Sequence, residues 1–342
     1  MLIYIVNIKG GGLRSNIYDS AITIIFFIVI ALYLGVRDYD IGTDTVNYIR
    51  DFRYIEQQPS LTGALDTIRR GSDPLFTVLT FYISRLFSEQ EYLLLLTMLF
   101  LVPIAIFIFK LTKGRRSLLL LAFLSLYSFK YMAINTIRSG IAMSFALLAM
   151  YVFFHRKHWL KILSSSILPV VLHVSSLIFI VPMIAVRYVK NVNVFYLLIL
   201  LTSILSFIGF GLDNIPIVAQ ALMESERASS YIEGNERYQT GFSITYWLYN
   251  FIVFLYAVYF SRKIDDDFYS YLMRLFIFLT SIYYLCFNIA YNDRIGVYSW
   301  MLIPILITYP FIKKNIFGKI GGGIVISLLL IFQLMAILYL NR

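Results

Sequence analysis

The chain has 342 residues, 60% of them hydrophobic and 14% charged, with a net charge of +10. That hydrophobic fraction excludes an ordinary soluble domain, and the basic excess is no nucleic-acid signal because it crowds short turns between apolar runs, beside anionic lipid headgroups. A single cysteine, Cys286, excludes an intramolecular disulfide and a cysteine metal cluster, and its apolar surroundings predict a packing role.

Met1–Ile8 is apolar but too short to cross a bilayer, and the run at about 17–36 reads as a full span with no cleavable signal pattern. A polar loop follows over about 37–73. The apolar stretch 74–87 is only three to four turns long and ends in Ser88-Glu89-Gln90-Glu91, where a complete crossing would call for lysine and arginine. It is expected to be a re-entrant or interfacial helix on the outer side. Further spans are predicted at about 92–109, 117–134, 136–154, 160–172, 174–189, 192–212, 243–261, 269–290, 295–312 and 320–340. The expected fold is all-α: a polytopic transmembrane helix bundle of about eleven spans plus that outer helix. It forms one integral membrane domain over 1–342, with its N-terminus inside and its C-terminus outside. The runs 160–172 and 174–189 are short and meet at His173, which predicts a water-filled pocket near the outer surface.

Charge type separates the two sides. Lys9, Lys110, Lys113, Lys157, Lys161, Lys190, Lys263, Lys313, Lys314 and Lys319 occupy short turns, which the positive-inside rule places in the cytoplasm. The long loops at about 37–73 and 213–241 hold no lysine, but they hold Arg37, Arg50, Arg53, Arg69, Arg70, Arg227 and Arg237. Topology does not ask for arginine there. A planar guanidinium binds phosphate or carboxylate through two parallel hydrogen bonds, so an anionic ligand on the outer face is expected.

Four places carry candidate chemistry. In Arg37-Asp38-Tyr39-Asp40-Ile41-Gly42-Thr43-Asp44-Thr45, Gly42 permits a sharp turn and Thr43 or Asp44 can cap the helix that follows. The same segment offers an arginine near headgroup depth and a carboxylate able to take a proton. In Asn135-Thr136-Ile137-Arg138-Ser139-Gly140, Arg138 opens a helix against its dipole, so an anionic partner is expected, either a protein carboxylate or a bound phosphate. Gly140 and Ser144 make a close-packing face. His173, with Ser175 and Ser176, places an imidazole at membrane depth, either as a satisfied helix end or as a working base. In Asn292-Asp293-Arg294 the two charges either pair or send Arg294 to the same outer cavity as Arg37 and Arg138. The loop 213–241, with Arg237 and Tyr238, reads as a solvated lid or a grip for a hydrophilic polymer. No spacing resembles a zinc site, a nucleotide-phosphate loop or a serine elbow, and no metal or other cofactor is expected.

Three pieces in order, Leu34-Gly35-Val36-Arg37-Asp38 leading into Ile41-Gly42-Thr43-Asp44-Thr45 and Tyr48, then Asn135–Ala142, then His173-Val174-Ser175-Ser176, resemble the EpsG family, the Wzy-type polymerases of bacterial surface polysaccharide such as O-antigen or exopolysaccharide. The resemblance runs from about residue 17 to the end; the departure is Met1–Ile8, where the family usually has a complete extra span. It implies a glycosyltransferase of the bacterial plasma (inner) membrane, working on the external or periplasmic face. Such an enzyme joins oligosaccharide repeats carried on undecaprenyl diphosphate by attack of an acceptor hydroxyl on the anomeric carbon, with inversion and without a metal. On that reading Arg37, Arg138 and Arg294 hold the diphosphate, Asp44 or His173 is the base, and Tyr48, Arg237 and Tyr238 contact sugar. Partners would be the lipid-linked oligosaccharide, membrane lipid, and flippase and chain-length regulator proteins, with no nucleic acid. A lipid-linked oligosaccharide flippase, or a polysaccharide ligase or membrane acyltransferase, is the alternative.

Overall fold

The computed structural model describes residues 13–67, 73–155, 159–223 and 240–314. Arg237, Tyr238 and the span predicted at 320–340 lie outside the described residues. Among those described, all regular structure is helical. The chain divides into two compact units, Met1–Leu177 with Phe311–Arg342, and Ile178–Pro310.

The first unit contains α1 (Leu13–Gly35), α2 (Thr45–Glu56), α3 (Leu61–Thr67), α4 (Pro74–Ser84), α5 (Glu89–Leu111), α6 (Arg116–Leu124), α7 (Tyr127–Ile134), α8 (Ile137–His155) and α9 (Trp159–Leu172), then a 3-10 turn at Val174–Ser176. Helix α10 (Leu177–Tyr188) begins at the boundary. The second unit continues with α11 (Val192–Phe207), a 3-10 turn at Leu212–Asn214, α12 (Pro216–Met223), α13 (Ile244–Ile264), α14 (Asp267–Leu285), α15 (Asp293–Trp300) and α16 (Ile303–Lys314), which ends beyond the boundary. Six stretches among the described residues are long and apolar enough to cross a membrane: Asn16–Gly35, α5, α8, α13, α14 and the α15–α16 run Asp293–Lys313. Pro74–Ser84, Leu160–Leu172, Val174–Tyr188 and Val192–Phe207 are shorter apolar helices.

Helices α1 and α5 run antiparallel, and polar contacts mark both ends of the pair. At one end Gln90 Nε2 donates to the carbonyls of Gly35 and Arg37 at 3.1 and 3.3 Å. At the other, the buried Asp19 of α1 accepts from Arg116 N at 2.7 Å, Ser117 N at 3.2 Å and Ser117 Oγ at 2.6 Å. The two backbone donors are amides that a helix start leaves unpaired, so a carboxylate from α1 caps α6 across the fold. The chain therefore leaves α1 and enters α5 at one end, the loop end. The guanidinium of Arg85, just after α4, donates to the carbonyls of Glu56 and Gln58, and Phe76 near the start of α4 meets Tyr48 near the start of α2, so α4 runs parallel to α2. The acids at 88–91 have a local cause: Ser88 caps α5 in a capping box with Glu91, and negative charge suits a helix N-terminus.

The predicted continuous span 117–134 is instead two helices, α6 and α7, bent by 74°. The chain breaks at Leu126, whose extended backbone (φ −84°, ψ 130°) opens α7. Close packing then holds α7 against α8: a Cβ on Gly140 would lie 2.5 Å from the Met132 carbonyl oxygen. The small-residue face expected at Gly140 thus serves the helix immediately before it.

In the second unit α11, α13 and α15 pack on α14. The acidic turn before α14 is more than a solvated loop, since Asp266 accepts from Tyr269 N at 2.9 Å and from the Tyr309 hydroxyl at 3.2 Å. Cys286 is buried, consistent with packing.

Replacing Asp19 with Ala strands the Arg116 and Ser117 donors in an apolar setting. Thermal unfolding of purified protein should show a loss of about 2 kcal/mol or more.

Candidate functional site

Helix α2 sets up the site by its periodicity. Thr45, Tyr48, Ile49, Phe52 and Ile55 form its buried face, while Val46, Asn47, Arg50 and Asp51 point outward. Tyr48 is thereby turned inward, its ring 6.0 Å from that of Phe76 in α4. The loop that leads into α2 is closed by its own side chains. Arg37 is 4% exposed, and its guanidinium donates to the Leu34 carbonyl and, from Nε and Nη2 at 3.3 Å, to Thr45 Oγ1. Burial lowers its pKa from the ordinary value, with Tyr48 opposing. The sequence places Arg37 at headgroup depth to face a diphosphate; here its nitrogens tie the last turn of α1 to Thr45, whose hydroxyl donates to the Ile41 carbonyl at 2.7 Å.

Gly42 takes φ +91°, and a Cβ there would fall 2.3 Å from Ile134 Cγ2 and 2.6 Å from Asn135 Oδ1. Both the left-handed backbone and the lack of space require glycine. Next to it, Thr43 N donates to Asn135 Oδ1 at 2.9 Å. The first motif of the sequence is thus docked on the second. Asp44 precedes α2 as its cap residue but makes no side-chain cap bond.

The centre of the cluster is Asp73. It precedes Pro74, a helix-start arrangement in which aspartate ordinarily bonds the first-turn amides. Its side chain makes no cap bond, is 7% exposed, and turns instead to an imidazole and a guanidinium. Asp73 Oδ2 lies 2.8 Å from His173 Nδ1 and 3.5 Å from Arg138 Nη1. His173 comes from the break where α9 ends and the 3-10 turn begins, in extended backbone. Arg138 comes from the first turn of α8, its guanidinium 5.9 Å from the Tyr48 ring centre and 5.7 Å from that of Phe76. The carboxylate alternative foreseen for Arg138 is therefore realised. Burial pushes the Tyr48 phenol above its ordinary pKa, with Arg138 opposing and Asp44 adding to the rise, so Tyr48 is a protonated donor beside both residues.

Sequence analysis named Asp44, Tyr48, Arg138 and His173, and the first unit gathers them at the loop end. It did not name Asp73. The Asp-Pro pair before an apolar helix signals only a cap, and nothing local says which acid of the loop turns inward. Arg294 lies in the second unit, in the first turn of α15, 4.7 Å over the Tyr291 ring. Among the described residues no group of three His, Cys, Asp or Glu side chains could hold a metal ion.

The arrangement has a definite chemical capacity. A carboxylate on Nδ1 selects the tautomer with its proton there, leaving the Nε2 lone pair to accept a proton. Beside it stand a guanidinium and a phenol, both donors suited to an anion.

The EpsG family model matches residues 20–342. The chain belongs to the EpsG family. That family is one of Wzy-type polysaccharide polymerases, and the apolar helices make this member a membrane protein. No curated protein and no solved structure matches it.

Asp73 pairs with Arg138 as well as His173, so Asp73→Ala and Arg138→Ala should not be additive. A double-mutant cycle on thermal stability should give a coupling of about 1 kcal/mol, and simple additivity would remove the ion pair from this account.

Proposed function

We propose that this EpsG member polymerises undecaprenyl-diphosphate-linked oligosaccharide repeats into surface polysaccharide on the outer face of the bacterial plasma membrane. The observation that carries the proposal is the Asp73–His173 pair with Arg138 on the same carboxylate oxygen, at the end of a membrane helix unit.

His173 Nε2 takes the proton of an acceptor sugar hydroxyl. The oxygen attacks the anomeric carbon of the growing chain, forming the new glycosidic bond as the bond to the diphosphate breaks. Undecaprenyl diphosphate leaves with the electron pair. Arg138, held beside Asp73 at 3.5 Å, turns to the departing diphosphate and stabilises its charge. Asp73 orients the imidazole and stabilises the imidazolium that forms. Tyr48 donates to substrate oxygen, and Asp44 is the alternative base at the entrance to α2. Arg37 acts through the loop that presents Tyr48. Direct displacement inverts the anomeric centre, and no metal takes part in the proposed steps.

Purified protein in vesicles, supplied with synthetic undecaprenyl-diphosphate repeat, should give a product ladder. His173→Ala and Arg138→Ala should each slow it by about a hundredfold or more at equal protein level. Asp73→Asn should slow it while leaving the fold intact, and Arg294→Ala tests that arginine separately. A normal ladder from both His173→Ala and Arg138→Ala rejects the site. A retained anomeric configuration rejects direct displacement.

A further inference from the structure

One lysine stands apart from those of the short turns. Lys130 lies in α7, the second half of the broken span. That span runs from the Asp19 end of the first unit, where α6 starts, to the loop end, where Asn135 meets Thr43. Lys130 sits little more than one helical turn before Asn135. Its side chain is exposed. No hydrogen bond or ion pair of Lys130 occurs among the described residues.

The helix face that carries it is distinctive. Ser128, Phe129, Met132 and Ala133 point into the unit and are buried. Tyr127, Lys130 and Tyr131, spaced i, i+3 and i+4, share the opposite face. The two tyrosines are half-buried with ring centres 5.7 Å apart. An ammonium in an apolar broken span is costly against hydrocarbon, so such a residue faces water or an anion. Broken helices in a membrane are likewise tolerated where they are buried in protein or line a wet cavity. A cation that shares a helix face with two tyrosines suits a phosphate attached to sugar: the ammonium takes the charge and a ring takes the apolar face of the pyranose.

We propose that Lys130, with Tyr127 and Tyr131, is a binding face for the diphosphate and first sugar of a lipid-linked saccharide, distinct from the Arg138 contact. The identity of that lipid rests on the polymerase reading; the anion site itself does not. A reaction that joins two lipid-borne chains has two diphosphates to hold, and this face offers the second a place on the same unit.

The test uses the full chain in nanodiscs, with undecaprenyl diphosphate as probe and phosphatidylglycerol as the competing anionic lipid, read by native mass spectrometry. Lys130→Ala should weaken undecaprenyl diphosphate binding about tenfold, and Lys130→Arg should restore most of it. Arg138→Ala should leave part of the binding, and only the double variant should abolish it. Lys130→Cys in a Cys286→Ala background should react with a membrane-impermeant maleimide, and undecaprenyl diphosphate should protect it. Unchanged binding in Lys130→Ala, equal competition by phosphatidylglycerol, or failure to label overturns the proposal. Loss of the ladder with Lys130-dependent binding intact would instead overturn only the polymerase reading.

Discussion

The first unit is organised around one carboxylate. Asp73 joins the start of α4, the first turn of α8 and the break after α9, three segments far apart in the chain. A carboxylate this deeply placed is tolerable only when opposite charge or hydrogen bonds compensate it, and Arg138 and His173 supply both. The geometry of a histidine, an arginine and an inserted helix is therefore set together. An aspartate that capped its own helix would leave His173 and Arg138 to find other anions.

Around that centre the loop 37–45 acts as a rigid clasp. Arg37 binds the loop to the end of α1, Thr45 receives two of its nitrogens, and Gly42 lets the backbone pass close to Ile134 and Asn135. The clasp fixes where α2 begins and hence which way Tyr48 faces. Arg37 in this way holds the loop and the start of α2 together through its own hydrogen bonds. Arg53 has a comparable role farther out, where its two nitrogens meet the two oxygens of Glu89 at 2.6 and 2.8 Å.

Much of this was legible in the residues because hydropathy reports directly on helices in a bilayer. The helical class, the short apolar helix at 74–84, the turn at Gly42 and the anionic partner of Arg138 all follow from local pattern or charge. The break at Leu126 was not, since its apolar content matches a continuous span and no proline or glycine marks the bend. Asp73 was hidden for a different reason: its sequence context is that of an ordinary cap, and its partners lie on helices that local pattern cannot bring together. The contacts of Arg37 were hidden too, because its depth is visible in sequence while the carbonyl and hydroxyl that meet its guanidinium are not.

The antiparallel run of α1 and α5 has a consequence for how the chain is inserted and how it can diverge. Whatever lies between Gly35 and Glu89 contributes an even number of passages, so the orientation of every later helix is blind to its length. The Tyr48–Asp73 segment is therefore free to be lengthened, shortened or resculpted without turning the rest of the protein inside out. Variation in the substrate it meets can accumulate there, on a stretch whose parity the membrane does not read.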